Sequence, residues 1–393
     1  MSTIRSEVAI VGGGLMGSWT AYFLRKRGRS VTLAEKGVIG AQASGVNFGN
    51  LRIQGRVLHQ LPLSLRAHEY WERFEELTGE SCEFTPTGHL RIAFNAKEAA
   101  TLEEYAASAR PHGLALELMD QAGLRRRWPW LAKAVAGSFS ARDAAANPRV
   151  TATAVARAAR ALGAEILDGT RVTAIERVNG RFRLSTESGA VIESEVLVNA
   201  AGAWANDIAQ CFGESAPIFA AGPAQFVTEA LPYFIEPSVQ SVDGSAIFRQ
   251  VPRGNVVVAG YPRGSSDPVA NRAPVAPRKT VAHMQGLGEL VPALAACHII
   301  RVWSGIEGYL PDMLPVIGPS GTTPGLFHAF AFCGHGFQLA PGVGLVLSEL
   351  IVDGKSPTPL AGFEITRFKG ATEEAAQFRR EFDTSMLPAR PGA

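Results

Sequence analysis

Val8-Ala9-Ile10-Val11-Gly12-Gly13-Gly14-Leu15-Met16-Gly17, with Glu35 further along, is the stretch that decides the fold. An apolar run of strand type ends in a glycine turn and passes directly into a helical pattern from Ser18 to Arg27. A second apolar run, Val31-Thr32-Leu33-Ala34, then delivers the acid. This order is a βαβ unit with a G-x-G-x-x-G turn made by Gly12, Gly14 and Gly17. Gly12 makes the tight turn, Gly14 lets backbone approach a pyrophosphate, and Gly17 lets helix and strand pack closely. The phosphates would sit at the helix N-terminus, where free N–H groups and the dipole favour negative charge. Glu35 stands roughly 20 residues past Gly12, the spacing of a carboxylate that binds a ribose 2′-hydroxyl. A carboxylate there repels a 2′-phosphate, so a 2′-phosphorylated dinucleotide is disfavoured.

Length and composition narrow the setting. A chain of 393 residues, 46% of them hydrophobic, has room for two or three domains with sizeable cores. The net charge of +2 provides no strong field for nucleic acid or anionic lipid. The one basic cluster, Arg125-Arg126-Arg127 beside Trp128-Pro129-Trp130, reads as a solvated turn after a helix. Cys82, Cys211, Cys297 and Cys333 are widely spaced, with neither a metal-ligand pattern nor a disulfide framework. The first strand begins close to Met1, leaving no room for a signal peptide, and no apolar run reads as a transmembrane segment. A cytoplasmic protein is the expectation.

Two further small-residue turns follow apolar strands. Glu195-Val196-Leu197-Val198-Asn199 runs into Ala200-Ala201-Gly202-Ala203-Trp204, and Leu326 to Phe332 runs into Gly334-His335-Gly336-Phe337-Gln338 with a helix behind it. One cofactor touched from all three turns must be long, and FAD fits better than NAD. The helix N-terminus after Gly334-His335-Gly336 would put partial positive charge beside the flavin edge that gains negative charge on reduction. Helices are expected at 60–79, 97–110, 150–162 and 278–290, a short strand pair at 84–94 around Pro86-Thr87-Gly88, and a hairpin at 246–260 turning at Pro252-Arg253-Gly254-Asn255.

Taken together, Gly12-Gly13-Gly14-Leu15-Met16-Gly17, Val198-Asn199-Ala200-Ala201-Gly202-Ala203-Trp204, Pro311-Asp312-Met313-Leu314-Pro315-Val316-Ile317-Gly318 and Gly334-His335-Gly336-Phe337 resemble the D-amino-acid oxidase / glycine oxidase / sarcosine oxidase family of flavoproteins. The match runs in order over roughly residues 4 to 355. The resemblance implies an α/β fold: a discontinuous Rossmann-like FAD-binding domain (1–55, 147–220 and 300–375), a substrate domain on a mixed or antiparallel sheet (56–146 and 221–299), and a C-terminal tail (376–393). It implies hydride transfer to flavin N5 from a C–H next to an amine nitrogen, the imine product then hydrolysing in water. That chemistry needs an oriented, deprotonated amine rather than an obligatory acid or base. The expected FAD contacts are Gly12, Gly14, Leu15, Met16 and Gly17; Glu35 and Lys36; Ser44, Gly45 and Asn47; Val172; Ala200, Ala201, Gly202 and Trp204; and Gly334, His335, Gly336, Phe337 and Gln338.

Departures from the family pattern bear on the substrate. Glycine-oxidase-like sequences carry an arginine in W-x-G-L-R-P that anchors a carboxylate; here Trp303-Ser304-Gly305-Ile306-Glu307-Gly308 puts Glu307 in its place. Glu307 would take an ammonium or hydroxyl, or pair with a nearby arginine such as Arg301 or Arg249. Gln338 and Val258 stand where sarcosine oxidases carry lysines, one of them linked to oxygen activation, which favours a dehydrogenase over a fast oxidase. Residues 301–308 lack the cysteine that tethers flavin in those enzymes, so noncovalent FAD is expected. A carboxylate anchor then falls to Arg249, whose side chain alternates with that of Phe248, or to Arg52, with Tyr261 closing the pocket. Residues 47–56 and 303–318 are most similar to hydroxyproline and opine dehydrogenase flavin subunits. The expected substrate is a small amine, amino acid or imino acid, with oxygen, a quinone or a partner subunit as acceptor. The rivals are a 2-hydroxy-acid enzyme on the same fold and the flavin subunit of a larger electron-transferring complex.

Overall fold

In a computed structural model of the protein, residues 3–370 and 374–382 are described. The strands Val8–Val11 and Val31–Ala34 pair in parallel around the helix Leu15–Lys26, as the opening stretch requires. They lie inside a six-stranded sheet ordered 316–319, 326–330, 196–199, 8–11, 31–34 and 165–167, parallel except for its 316–319 edge. The central strands are largely apolar because both faces are covered, with buried Thr32, Asn199 and His328 as the polar exceptions. Val8 and Ile10 face the helical layer, whereas Ala9 packs with Phe182, Leu184 and Ile192 of a four-stranded sheet on the other side.

The helical layer is formed by Leu15–Lys26, Pro148–Ala161, Leu61–Glu72 and Gly336–Asp353. Gly344 allows the closest crossing: a Cβ there would lie 2.6 Å from the Trp19 backbone carbon. Helix Gly336–Asp353 is long and apolar enough to cross a membrane, contrary to the reading of the sequence. It is 72% buried and packed between Leu15–Lys26 and Leu61–Glu72, which makes it a core helix.

An eight-stranded sheet forms the second body, in the order 299–303, 225–230, 255–259, 247–250, 238–241, 89–93, 136–140 and 117–120. Its neighbours are antiparallel except for 238–241 against 89–93. The strand pair expected at 84–94 does not form. His89–Ala93 is a single strand that pairs with two distant segments, while Thr85 only bridges Ala145. The hairpin 247–259 forms as read. Arg125, Arg126 and Arg127 are the last turn of the helix Gln121–Arg127 rather than a turn after it, and Arg127 stacks on Trp128 and Phe139. The segment read as a C-terminal tail includes the helix Ala376–Glu381, with Phe378, Glu381 and Phe382 buried; residues 383–393 lie outside the described residues.

Candidate active site

A cavity of about 350 Å³ runs across the C-terminal ends of the parallel strands and joins all three small-residue turns. Open α/β sheets bind ligands in this position. At one end, Gly12 has φ +111° and a Cβ there would lie 2.3 Å from the Ala200 carbonyl oxygen, so no side chain fits between the first two turns. Gly14, Leu15 and Met16 border the cavity at the start of their helix. That helix has no side-chain cap from Gly14; the Leu15 N–H donates to Ser44 Oγ at 2.9 Å. Glu35 accepts from the backbone N–H groups of Gly13 (2.7 Å) and Gly37 (2.8 Å), which fixes its carboxylate at the cavity wall. Lys36 lies 3.2 Å from the centre of the Trp204 ring, with Val172 alongside. Burial lowers the pKa of its ammonium.

Gly17, Gly45, His335 and Gln338 do not line the cavity. A Cβ on Gly17 would collide with Gly12 O and one on Gly45 with Gly40 O, so both glycines shape the turns from behind. Gln338 is fully buried and exchanges hydrogen bonds with Ser64 Oγ and the Ser64 carbonyl. It belongs to the helix packing, which corrects its assignment to the cofactor. Asn47, Ala200, Ala201, Gly202, Trp204, Gly334, Gly336 and Phe337 do line the cavity.

The far end is built differently. Ala331, Cys333 and Gly334 all have positive φ (54°, 52° and 77°), and this strained turn delivers the helix Gly336–Asp353 N-terminus to the cavity. His335 stands at that N-terminus with Nδ1 buried and unpartnered; burial, then Arg56, Arg52 and Arg263, holds it neutral, well below the usual imidazole range. Asn50 Oδ1 is likewise buried without a partner. Cys333 lines the cavity, and burial pushes its thiol far up.

Glu307 lines this end, as the sequence places it. Its neighbours are neither Arg301 nor Arg249. Tyr309 donates its hydroxyl to Glu307, and Arg263 Nη1 lies 4.0 Å from Glu307 Oε2. Arg263 in turn binds Glu381 through Nε (3.0 Å) and Nη2 (2.8 Å), and its guanidinium abuts the Gly334 turn. Arg263 and Glu381 are missing from the sequence reading: Arg263 sits in an irregular loop, and Glu381 in a segment with no periodic signal. Tyr261 does not line the cavity; it lies behind Arg263, 5.0 Å from ring centre to guanidinium carbon.

Arg249 does alternate with Phe248, which points into the core of the second body. It does not reach the cavity, however. It is buried behind the 47–50 loop and donates Nε to the Phe48 carbonyl at 2.9 Å. Arg52 also stands off the cavity and donates to the Gln54 carbonyl. Val258 is a core residue of the opposite sheet face; Val257 and Ala259 occupy the face that carries Arg249.

The cavity fits FAD by its own features: a turn with space for backbone only, a carboxylate positioned for ribose, and an orphaned polar atom at Asn50 in its wall. Residues 7–350 match the family described as FAD dependent oxidoreductase (DAO), and the chain belongs to that family. Its relatives include sarcosine oxidase subunit beta of Rhizobium meliloti (28% identical over 92% of this chain and 88% of that protein). Glycine oxidase of Geobacillus kaustophilus is 28% identical over 94% of this chain and 98% of its own. Mitochondrial dimethylglycine dehydrogenase of Rattus norvegicus is 27% identical over 93% of this chain but 45% of its own length, so the chain spans about half of that relative. The crystal structure of L-proline dehydrogenase from P. horikoshii superposes with a TM-score of 0.86 at 28% identity, covering 93% of this chain and 98% of that one.

Proposed function

We propose that the chain oxidises the C–N bond of an amino acid, imino acid or secondary amine, with FAD bound noncovalently. The observation that carries this reading is the acidic ring end, where Glu307 meets the cavity and is held by Tyr309 and Arg263. Bound there, FAD supplies the acceptor for the hydride from the carbon next to nitrogen. Glu307 accepts N–H from the amine and fixes the direction of that C–H; a carboxylate at this point favours an amine over an anionic group. The N-terminus of helix Gly336–Asp353 favours negative charge at the ring edge. Neutral His335 adds no competing cation. The relatives named for sarcosine, glycine, dimethylglycine and proline chemistry support the same substrate class.

Noncovalent attachment is supported at Cys333, the cavity's cysteine, whose thiol is kept protonated by burial and therefore poorly nucleophilic. A dehydrogenase rather than a fast oxidase is supported by the apolar run Val256 to Ala259, which carries no lysine on either face of its strand. A cytoplasmic setting belongs to the same proposal and accords with four unpaired cysteines. The test is a yellow purified protein, its flavin released by acid precipitation and bleached anaerobically across a panel of D- and L-amino acids, imino acids, secondary amines and 2-hydroxy acids. Bleaching by hydroxy acids alone would reject the C–N reading. A second reading, a flavin subunit handing electrons to a partner chain, is supported by the sarcosine oxidase beta-subunit relative and by exposed Ile300 (62%) and Val302 (40%) on the edge strand 299–303. Full turnover by the lone chain with an artificial acceptor would count against it.

A further inference from the structure

The ring end holds one more carboxylate than the reaction argued above uses. Glu307 lines the cavity; Glu381 does not, and it comes from a segment outside the residues 7–350 that match the family. That segment is docked along its length. The Ala375 N–H donates to the Pro311 carbonyl at 2.9 Å, Phe378 packs on Phe219, and Phe382 packs on both Phe219 and Tyr309. The Arg263 N–H donates to the Glu381 carbonyl at 2.7 Å. The Glu381 side chain is fully buried, with Gln377 and Arg263 donating to it. A carboxylate taken out of water is costly unless a cation stands against it, so Glu381 holds Arg263 firmly.

Arg263 is shared unequally between two acids. Its Nε and Nη2 both meet Glu381 Oε2, at 3.0 and 2.8 Å, whereas its Nη1 stands 4.0 Å from Glu307 Oε2, about 1 Å too far for a hydrogen bond. The ring centres of Tyr261 and Tyr309 lie 5.0 and 4.8 Å from the guanidinium carbon, and a Cβ on Gly334 would be 2.9 Å from Nη2. Glu307, for its part, takes the Tyr309 hydroxyl on Oε2, while its Oε1 accepts no hydrogen bond from any described residue. Glu307 therefore keeps its charge and its lone pairs for what enters the cavity.

That balance depends on Glu381. A guanidinium and a carboxylate attract most strongly in direct contact, and Arg263 makes that contact with Glu381 through two N–H groups. Without the Glu381 charge, the acid left beside Arg263 is Glu307. A small swing of the guanidinium closes the gap, and the new pair neutralises Glu307 and occupies its oxygens. We propose that Glu381 is a positioning residue for substrate binding: by occupying Arg263 it keeps Glu307 out of a direct ion pair and open to the substrate amine. Glu381 and Arg263 touch neither substrate nor flavin in this role; they act through Glu307. The role rests on the C–N oxidation argued above, and it gives the segment 374–382 a part in selecting the substrate.

The test is a double-mutant cycle on the full FAD-loaded chain. Anaerobic flavin reduction is followed at increasing concentrations of the panel amine (glycine, N-methylglycine, N,N-dimethylglycine and proline included) that reduces the parent fastest. Glu381→Gln keeps the shape and removes the charge. It should raise the half-saturating concentration roughly 10-fold, the loss of one charged hydrogen bond, with flavin content unchanged and the limiting rate within about twofold. In a Glu307→Gln background the same substitution should shift half-saturation by less than about twofold, because no carboxylate is left for Arg263 to capture. Glu381→Asp, which keeps the charge on a shorter arm, should fall between parent and Glu381→Gln, and it replaces Glu381→Gln in the cycle if that variant does not fold. Half-saturation that stays at the parent value, or rises equally in both backgrounds, overturns the proposal, as does a loss confined to flavin content or limiting rate, which marks a structural role; amine bleaching of the parent keeps the C–N reading in each of these cases. A parent whose flavin no amine reduces sinks the C–N reading and this proposal with it.

Discussion

At the nucleotide end of the cavity the protein presents backbone: Gly12, Gly14, Ala200 and Gly202 line it with hardly a side chain among them. At the ring end it presents charge: Glu307 in the wall, with Arg263 and Glu381 behind it. The first end recognises what pyrophosphates and riboses share, so a turn geometry is enough. The second has to distinguish one amine from another, and it does so with ionised groups brought from segments far apart in sequence. Damage at the two ends should therefore separate cleanly into loss of cofactor and loss of substrate selection.

The largest effect belongs to Gly12→Val. With φ at +111° and a Cβ 2.3 Å from Ala200 O, the turn cannot form, so the variant should purify colourless or not fold at all, read by flavin absorbance and circular dichroism. Gly202→Ala makes the contrast for the fold: no protein atom lies within 4 Å, so the cost to stability is that of the left-handed φ, about 1–2 kcal/mol, and the variant should fold. Next comes Arg263→Met, which strands Glu381 and Glu307 without their cation. Breaking a buried pair costs about 3–5 kcal/mol, so the denaturation midpoint should fall well below that of the parent. Glu307→Gln should leave flavin content unchanged while raising KM for amines roughly 10-fold or more, separating the two ends within a single variant.

The last effect is a pH dependence of stability that reports on neither end of the cavity. Burial, with Arg142 nearby, brings the His68 imidazole down to about 4. Below about pH 6.5 the unfolded chain takes up a proton that the fold refuses until about pH 4, so stability present at neutral pH is lost across that window. The loss is up to about 3 kcal/mol from this residue. His68→Asn should flatten the decline, measured by denaturant unfolding at pH 7 and pH 5.

Val8 to Gly17 was legible because each residue's role there is local: an apolar strand, a turn that only glycine permits, a helix start. Glu307 was legible as an oddity in a familiar segment, but its partner was not, since Arg263 meets it through an irregular loop. The alternation that turns Arg249 away from Phe248 was readable, yet what Arg249 meets depends on a loop about two hundred residues away in sequence. The segment 84–94 was read as a local pair, but His89–Ala93 finds its partners at 136–140 and 238–241, pairings that no turn signal announces. Gln338 resembled a cofactor contact by position, and only the packing of Leu61–Glu72 against its helix shows that Ser64 satisfies it.

The central claim is tested most directly by anaerobic mixing of the yellow protein with an amine and with the same amine deuterated at the carbon next to nitrogen. C–N oxidation predicts that the amine bleaches the flavin and that deuterium slows the bleaching. A flavin that every amine leaves yellow, while a 2-hydroxy acid reduces it, would contradict the account.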